Sequence, residues 1–166
     1  VMLRLAEDKF WLSIANSDVL LWVRAVAAEG NFDVSVIEPD VSPLAIQGPN
    51  AEAVAVDLLG EWVRELKYFH FRETMLDNIP LIAGRSGWSK QGGFEFYLRD
   101  GSKGAELWDR VKEIGAPYEI GPGAPNPIER LESGLLSYRV DTLPDSDPFE
   151  VGLNKMISLD RTDKFI

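Results

Sequence analysis

Apolar and polar residues recur with two different periods along this chain, and the changes of period divide it into elements. Phe10 to Ala15 reads as a strand. Val19, Trp22, Val23 and Val26 recur at helical spacing. Asn16 or Ser17 can cap that helix, because either side chain accepts from free backbone N–H groups. The helix runs to about Glu29, where Gly30-Asn31 stops it. Phe32 to Ile37 alternates apolar and polar, as a half-buried strand does. Pro39 and Pro43 then break both helix and ladder and mark a linker.

A second series follows. Leu44 to Gln47 is a short strand, and Gly48-Pro49-Asn50 opens a helix ending near Gly60. Lys67 to Met75 and Pro80 to Gly84 read as strands joined by a turn at Asp77-Asn78, and Phe94 to Leu98 is the next strand. Ser102 to Ile114 is amphipathic, with Leu107, Trp108, Val111 and Ile114 on one face. The spacing of Trp22 and Trp108 predicts core positions for both. Tyr118 to Ile120 is a short closing strand. Asn126, Pro127 and Glu129 form a helix start, and that helix runs to about Ser137. This order predicts the α+β class: a ferredoxin-like antiparallel sheet with helices on one face.

Composition narrows the chemistry. The 166 residues suffice for a real core, and 45% hydrophobic with 27% charged content is ordinary for a globular protein. A net charge of −10 argues against nucleic acid or an anionic membrane as partner. With no cysteine there is no disulfide, thiolate metal site or cysteine nucleophile, and a single histidine, His70, builds no multi-histidine metal site; no metal is expected. Apolar runs such as Val19 to Val23 are too short to span a bilayer, and a reducing cytoplasm is compatible with all of this. The first residue is Val1, and the last, Phe165-Ile166, fall within an apolar pattern; the chain therefore reads as an internal piece of a longer one.

The segment Arg85 to Tyr97 carries the most chemistry. A strand enters a glycine-rich turn, and a second strand leaves it with one carboxylate, Glu95, among aromatics. Such a carboxylate costs several kcal/mol if buried alone, so it is exposed, paired, or kept to bind something. Tyr97 shares its strand face, since side chains repeat every two residues. The segment resembles the R-T-G-Y-T-G-E-x-G-F-E motif of the glycine cleavage T-protein (aminomethyltransferase) family, whose last Glu hydrogen-bonds the pterin of tetrahydrofolate. Ala45-Ile46-Gln47-Gly48-Pro49-Asn50-Ala51, Arg130-Leu131-Glu132-Ser133-Gly134-Leu135 and Pro148-Phe149-Glu150-Val151-Gly152-Leu153 resemble three further family motifs, in the family's order. Ser13 to Asp18, Glu38 to Pro43, Gly87 to Gly93 and Glu129 to Tyr138 are similar to one branch, the dimethylsulfoniopropionate demethylases.

The resemblance implies the folate-binding T-protein fold. Residues 1–42 would form a partial strand–helix–strand lobe, 43–143 the folate-binding α+β domain, and 144–166 the start of a truncated C-terminal domain. It implies tetrahydrofolate as cofactor, a small-molecule methyl donor such as a sulfonium, and methyl transfer to folate N5. The T-protein's catalytic Asp would align near Leu21, with Asp18 about a turn early, which disfavours aminomethyl transfer. An aminomethyltransferase, another folate-linked O- or N-demethylase, and a non-enzymatic folate-binding accessory protein are the alternatives; a homo-oligomer is left open. The implied cofactor-binding residues are Glu95, Tyr97, Trp88 and Arg85, and the substrate-binding ones Lys90 and Ser17; no catalytic residue is identified. Arg85 and Arg130 also have a structural reading, pairing with a carboxylate such as Glu132.

Overall fold

The computed structural model describes residues 1–14, 19–89, 91–124 and 127–162, in two compact units. Ser17 and Lys90, and the Asn126 cap, lie outside the described residues. The first unit comprises residues 1–87 and 91–122, the second 88–90 and 123–166.

In the first unit a two-stranded hairpin, β1 (Met2–Arg4) and β2 (Phe10–Leu12), precedes helix α1 (Val19–Glu29). Then come β3 (Ser42–Gln47), α2 (Ala51–Leu59), β4 (Phe71–Leu76), β5 (Ile79–Gly84), β6 (Gly93–Leu98) and α3 (Gly104–Gly115). The last four strands form one antiparallel sheet in the order β3-β6-β5-β4. Pro43 lies in an edge strand, where its missing N–H costs no ladder bond on the open side. β5 follows β4 through a two-residue turn in which Asp77 takes φ 51°, a left-handed conformation that Asp tolerates.

The sheet's two faces differ. Ile46, Leu76, Leu81, Ala83, Phe94, Phe96 and Leu98 point toward α2 and α3 and form the main core with Val54, Ala55, Leu58, Leu107 and Val111. Phe94 and Phe96 are fully buried. The opposite face carries Ile82 and Tyr97, packed with Leu3, and Trp11 and Phe71 rest against that cluster. The expected class, an antiparallel α+β sheet with helices on one face, is what forms.

Several expected elements differ. Residues 32–37 form no strand; Phe32, Val34 and Ile37 are exposed, and the segment is tied to α1 by Phe32 N–H to Ala27 O (3.1 Å) and by Arg24 Nε to Val36 O (3.0 Å). Alternation there has no ladder partner. Residues 118–120 form no strand either. A 3-10 turn, Ala116–Tyr118, closes α3; Glu119 is left-handed (φ 59°), and the Ile120 N–H returns to Gly115 O at 3.2 Å. The strand expected from Lys67 begins only at Phe71, because Phe69 takes φ 62°. Trp22 and Trp108 are exposed rather than core. Trp108 sits about 100° around the helix from Leu107, off the seam that Leu107 and Val111 bury.

The second unit holds α4 (Pro127–Glu132), shorter than the expected run to Ser137. Gly134, at φ 65°, ends it: its N–H bonds Leu131 O, and Leu135 N–H bonds Arg130 O, the paired bonds of a Schellman cap.

Candidate functional site

Glu95 is the one residue of β6 that is not buried. It sits on the sheet face opposite the helices, between Ala45 of β3 and Gly84 of β5 in the ladder. Both neighbours are small, so neither side chain crowds the carboxylate. Tyr97 lies two residues on, on the same face, as strand periodicity requires.

Two hydroxyls converge on one carboxylate oxygen. Ser86 Oγ donates a short hydrogen bond to Glu95 Oε2, and the Tyr97 hydroxyl donates to the same oxygen at 3.3 Å. Among the described residues no donor meets Oε1. Burial first, and then the Glu95 charge, hold the Tyr97 phenol above its ordinary value; hydrogen bonds with Ser86 and Ser13 pull it the other way. The Tyr97 ring is buried and meets Trp11 at a tilt, with centroids 6.5 Å apart and planes at 58°.

The turn before β6 depends on its last glycine. Gly93 has φ 133°, and a Cβ there would overlap Ile46 O and come within 2.7 Å of Gln47 Nε2. That close approach lets β6 enter the ladder one residue ahead of Phe94.

Arg85 is committed to the scaffold. Its Nη2 pairs with Glu52 at 2.9 Å, its Nη1 donates to Leu66 O at 3.1 Å, and its guanidinium lies 5.4 Å from the Phe94 ring centre. Its expected structural partner was a carboxylate such as Glu132; Glu52 takes that place. Trp88 belongs to the second unit, partly exposed, with the Arg130 guanidinium 5.9 Å from its ring. Arg130 is buried; it pairs with Asp141, not Glu132, and donates to Leu135 O at 2.9 Å. The Arg130 hydrogen bond first, and the Ser137 N–H second, hold the Asp141 carboxyl below the usual carboxylate range.

The structure thus brings Glu95 and Tyr97 together and adds Ser86, Ser13 and Trp11, which sequence reasoning missed. Ser86 lies inside the Arg85–Tyr97 segment, but no periodicity signals its role, because residue 86 lies past the last ladder pair, Gly84 with Glu95. Among the described residues no group of three or more His, Cys, Asp or Glu could hold a metal ion, and no helix is long and apolar enough to cross a membrane. The arrangement can do one thing directly: offer a fixed carboxylate edge to adjacent hydrogen-bond donors of a planar ligand.

Comparison with known proteins shows the family of the chain. Residues 1–161 match the model of the GCVT N-terminal domain. The chain is similar to dimethylsulfoniopropionate demethylase DmdA of Ruegeria pomeroyi, 44% identical over 93% of this chain and 43% of that protein. It is similar to the aminomethyltransferases of Shouchella clausii, 34% identical over 100% of this chain and 46% of that protein, and of Natranaerobius thermophilus, 30% identical over 98% and 46%. The chain therefore spans less than half the length of these relatives.

Proposed function

The chain belongs to the GCVT N-terminal domain family, and from that premise we propose that it is the folate-binding part of a tetrahydrofolate-dependent methyltransferase whose donor is a sulfonium such as dimethylsulfoniopropionate. Glu95 carries this reading. Its Oε2 is held by Ser86 and Tyr97, and among the described residues no donor meets Oε1, at the position where the family motif expects a pterin-binding carboxylate. The residues present fit that ligand: a carboxylate accepts side-by-side N–H donors, Ala45 and Gly84 leave room beside it, and Tyr97 with Trp11 closes the apolar side. Trp88, Lys90 and Ser17 rest on the resemblance alone, and Arg85 acts by anchoring the start of the turn.

Bound tetrahydrofolate would supply the nucleophilic nitrogen that takes up the methyl group. As the N5–methyl bond forms and the S–CH3 bond breaks, the sulfonium leaves as a neutral thioether and the N5 proton passes to solvent, so the protein need protonate no leaving group. Its work is to bind, orient and exclude water, and positioning can supply roughly 7–11 kcal/mol in the best intramolecular cases. Two findings favour methyl over aminomethyl transfer. The identity to the demethylase, 44%, exceeds the 30% and 34% to the aminomethyltransferases. Leu21, near which the T-protein's catalytic Asp would align, presents an exposed apolar side chain on α1 and offers no acid or base.

The test is a product assay on the full-length protein. With tetrahydrofolate and dimethylsulfoniopropionate, mass spectrometry should show 5-methyltetrahydrofolate; with an aminomethyl-lipoyl carrier it should show no methylenetetrahydrofolate. Methylene product without methyl product would replace this reading with the aminomethyltransferase one. Folate binding with neither product would favour the accessory-protein reading.

A further inference from the structure

Glu95 has several rotatable bonds and small neighbours on both sides, so the ladder alone does not hold its carboxylate. Among the described residues its only restraints are the hydroxyls of Ser86 and Tyr97, and both act on Oε2. Ser86 is itself a buried polar residue, 6% exposed. Its backbone is fixed on both sides. Arg85 N–H bonds His70 O at 2.9 Å, Arg85 O accepts from Phe69 N–H at 2.9 Å, and Ser86 O accepts from Gln47 Nε2 at 3.4 Å. Arg85 adds its ion pair to Glu52. A hydroxyl on so rigid a base is a fixed point against which a mobile carboxylate can be set.

We propose that Ser86 is the positioning residue of this site: its hydroxyl holds the Glu95 carboxylate with Oε2 turned inward and Oε1 presented to the N–H edge of a bound reduced folate. The inference rests on the folate reading above and deepens it. Ser86 touches no ligand in this scheme; it removes in advance the rotamer freedom that binding would otherwise have to remove. Tyr97, bonded to the same oxygen at 3.3 Å, is the secondary restraint. A Thr in place of Ser86 would keep the donor, whereas Ala would leave Tyr97 as the one restraint on Glu95 among the described residues.

The experiment is a double-mutant cycle in the full-length protein, read by calorimetry with 5-formyltetrahydrofolate as an oxidation-stable probe. Glu95→Gln should weaken binding by about 10- to 150-fold, the range for a hydrogen bond to a charged group. Ser86→Ala should weaken it by roughly tenfold, Ser86→Thr should restore it to within about twofold, and Ser86→Ala should add nothing once Glu95→Gln is present. If Ser86→Ala folds poorly, Ser86→Cys, of similar size and with a weaker donor, takes its place with the same expected loss. Unchanged affinity in a folded Ser86→Ala or Ser86→Cys protein, or an equal loss in the Glu95→Gln background, would overturn the positioning role and leave the folate reading standing. Absence of binding by the unmutated protein would overturn both.

Discussion

Replacing Gly93 by alanine probes the backbone that delivers β6 to its place. Two costs add. The first is conformational: at φ 133° an L side chain is strained, by about 1–3 kcal/mol. The second is steric: the new methyl would overlap Ile46 O, a backbone atom of β3. To relieve this, the end of the β3–β6 ladder must open where Gln47 pairs with Gly93, at about 1 kcal/mol for each hydrogen bond lost. The sum is about 2–5 kcal/mol, a large share of the roughly 5–15 kcal/mol available to a folded protein. Gly92 is the internal control. It too has a positive φ, 76°, but a Cβ there meets nothing within 4 Å, so Gly92→Ala should pay only the smaller conformational cost, about 1 kcal/mol. Urea unfolding of both variants, with slopes compared to ensure that the same transition is measured, separates the two terms. Equal losses at 92 and 93 would refute the steric argument.

Three further outcomes are expected. Asp141 has its carboxyl held down by Arg130, so its stabilising contribution is present above the ordinary carboxyl value near pH 4 and is lost as pH falls through the lowered value; the Trp88 indole resonance should report loosening of the second unit in that acid window, and an Asp141→Asn protein that keeps the same acid transition would contradict this. Tyr97 is held above its ordinary value near 10, so its contribution is present below that pH and lost as pH rises through the raised value; absorbance at 295 nm should show two late phenols, Tyr97 and the Tyr118 phenol that donates to Asp57, of which Glu95→Gln brings the first earlier and Tyr97→Phe removes it. Leu107→Ala should cost about 2–5 kcal/mol, whereas Trp108→Ala, next along α3 but exposed, should cost well under half as much by thermal or urea melts.

The parts of the fold legible in sequence are those where pattern and partner agree. β6 alternates, and its even residues do enter the core while Glu95 and Tyr97 share the other face. Residues 32–37 alternate equally well and form no strand, because alternation states which side chains share a face but not whether another strand is there to bond. The helix over 102–114 is legible in its apolar stripe, but the buried seam that Leu107 and Val111 form is narrower than that stripe and leaves Trp108 outside. The identities of the ion-pair partners were not readable at all. Arg85 finds Glu52, 33 residues away, and Arg130 finds Asp141 across a turn, and neither distance has a periodic signature. Ser86 was hidden for a related reason: it acts from beyond the end of the ladder, where strand periodicity no longer says which way a side chain faces.

The Ser86, Glu95 and Tyr97 cluster spans twelve consecutive positions of one β5–β6 hairpin. Both side-chain restraints on the carboxylate therefore come from within that hairpin, while the backbone at Ser86 is also tied to Phe69 and His70 through Arg85 and to Gln47 of β3. β3, by contrast, is an edge strand joined to β6 from some fifty residues upstream, and its pairing carries the larger loop-closure entropy. In hydrogen exchange, amides of β3 should open at lower free energy than those of the β5–β6 pairing. Because Gln47 of that edge strand also bonds Ser86 O, the breathing of the edge reaches the residue that sets the carboxylate, so loosening β3 should change how the bound ligand is held as well as how readily it enters.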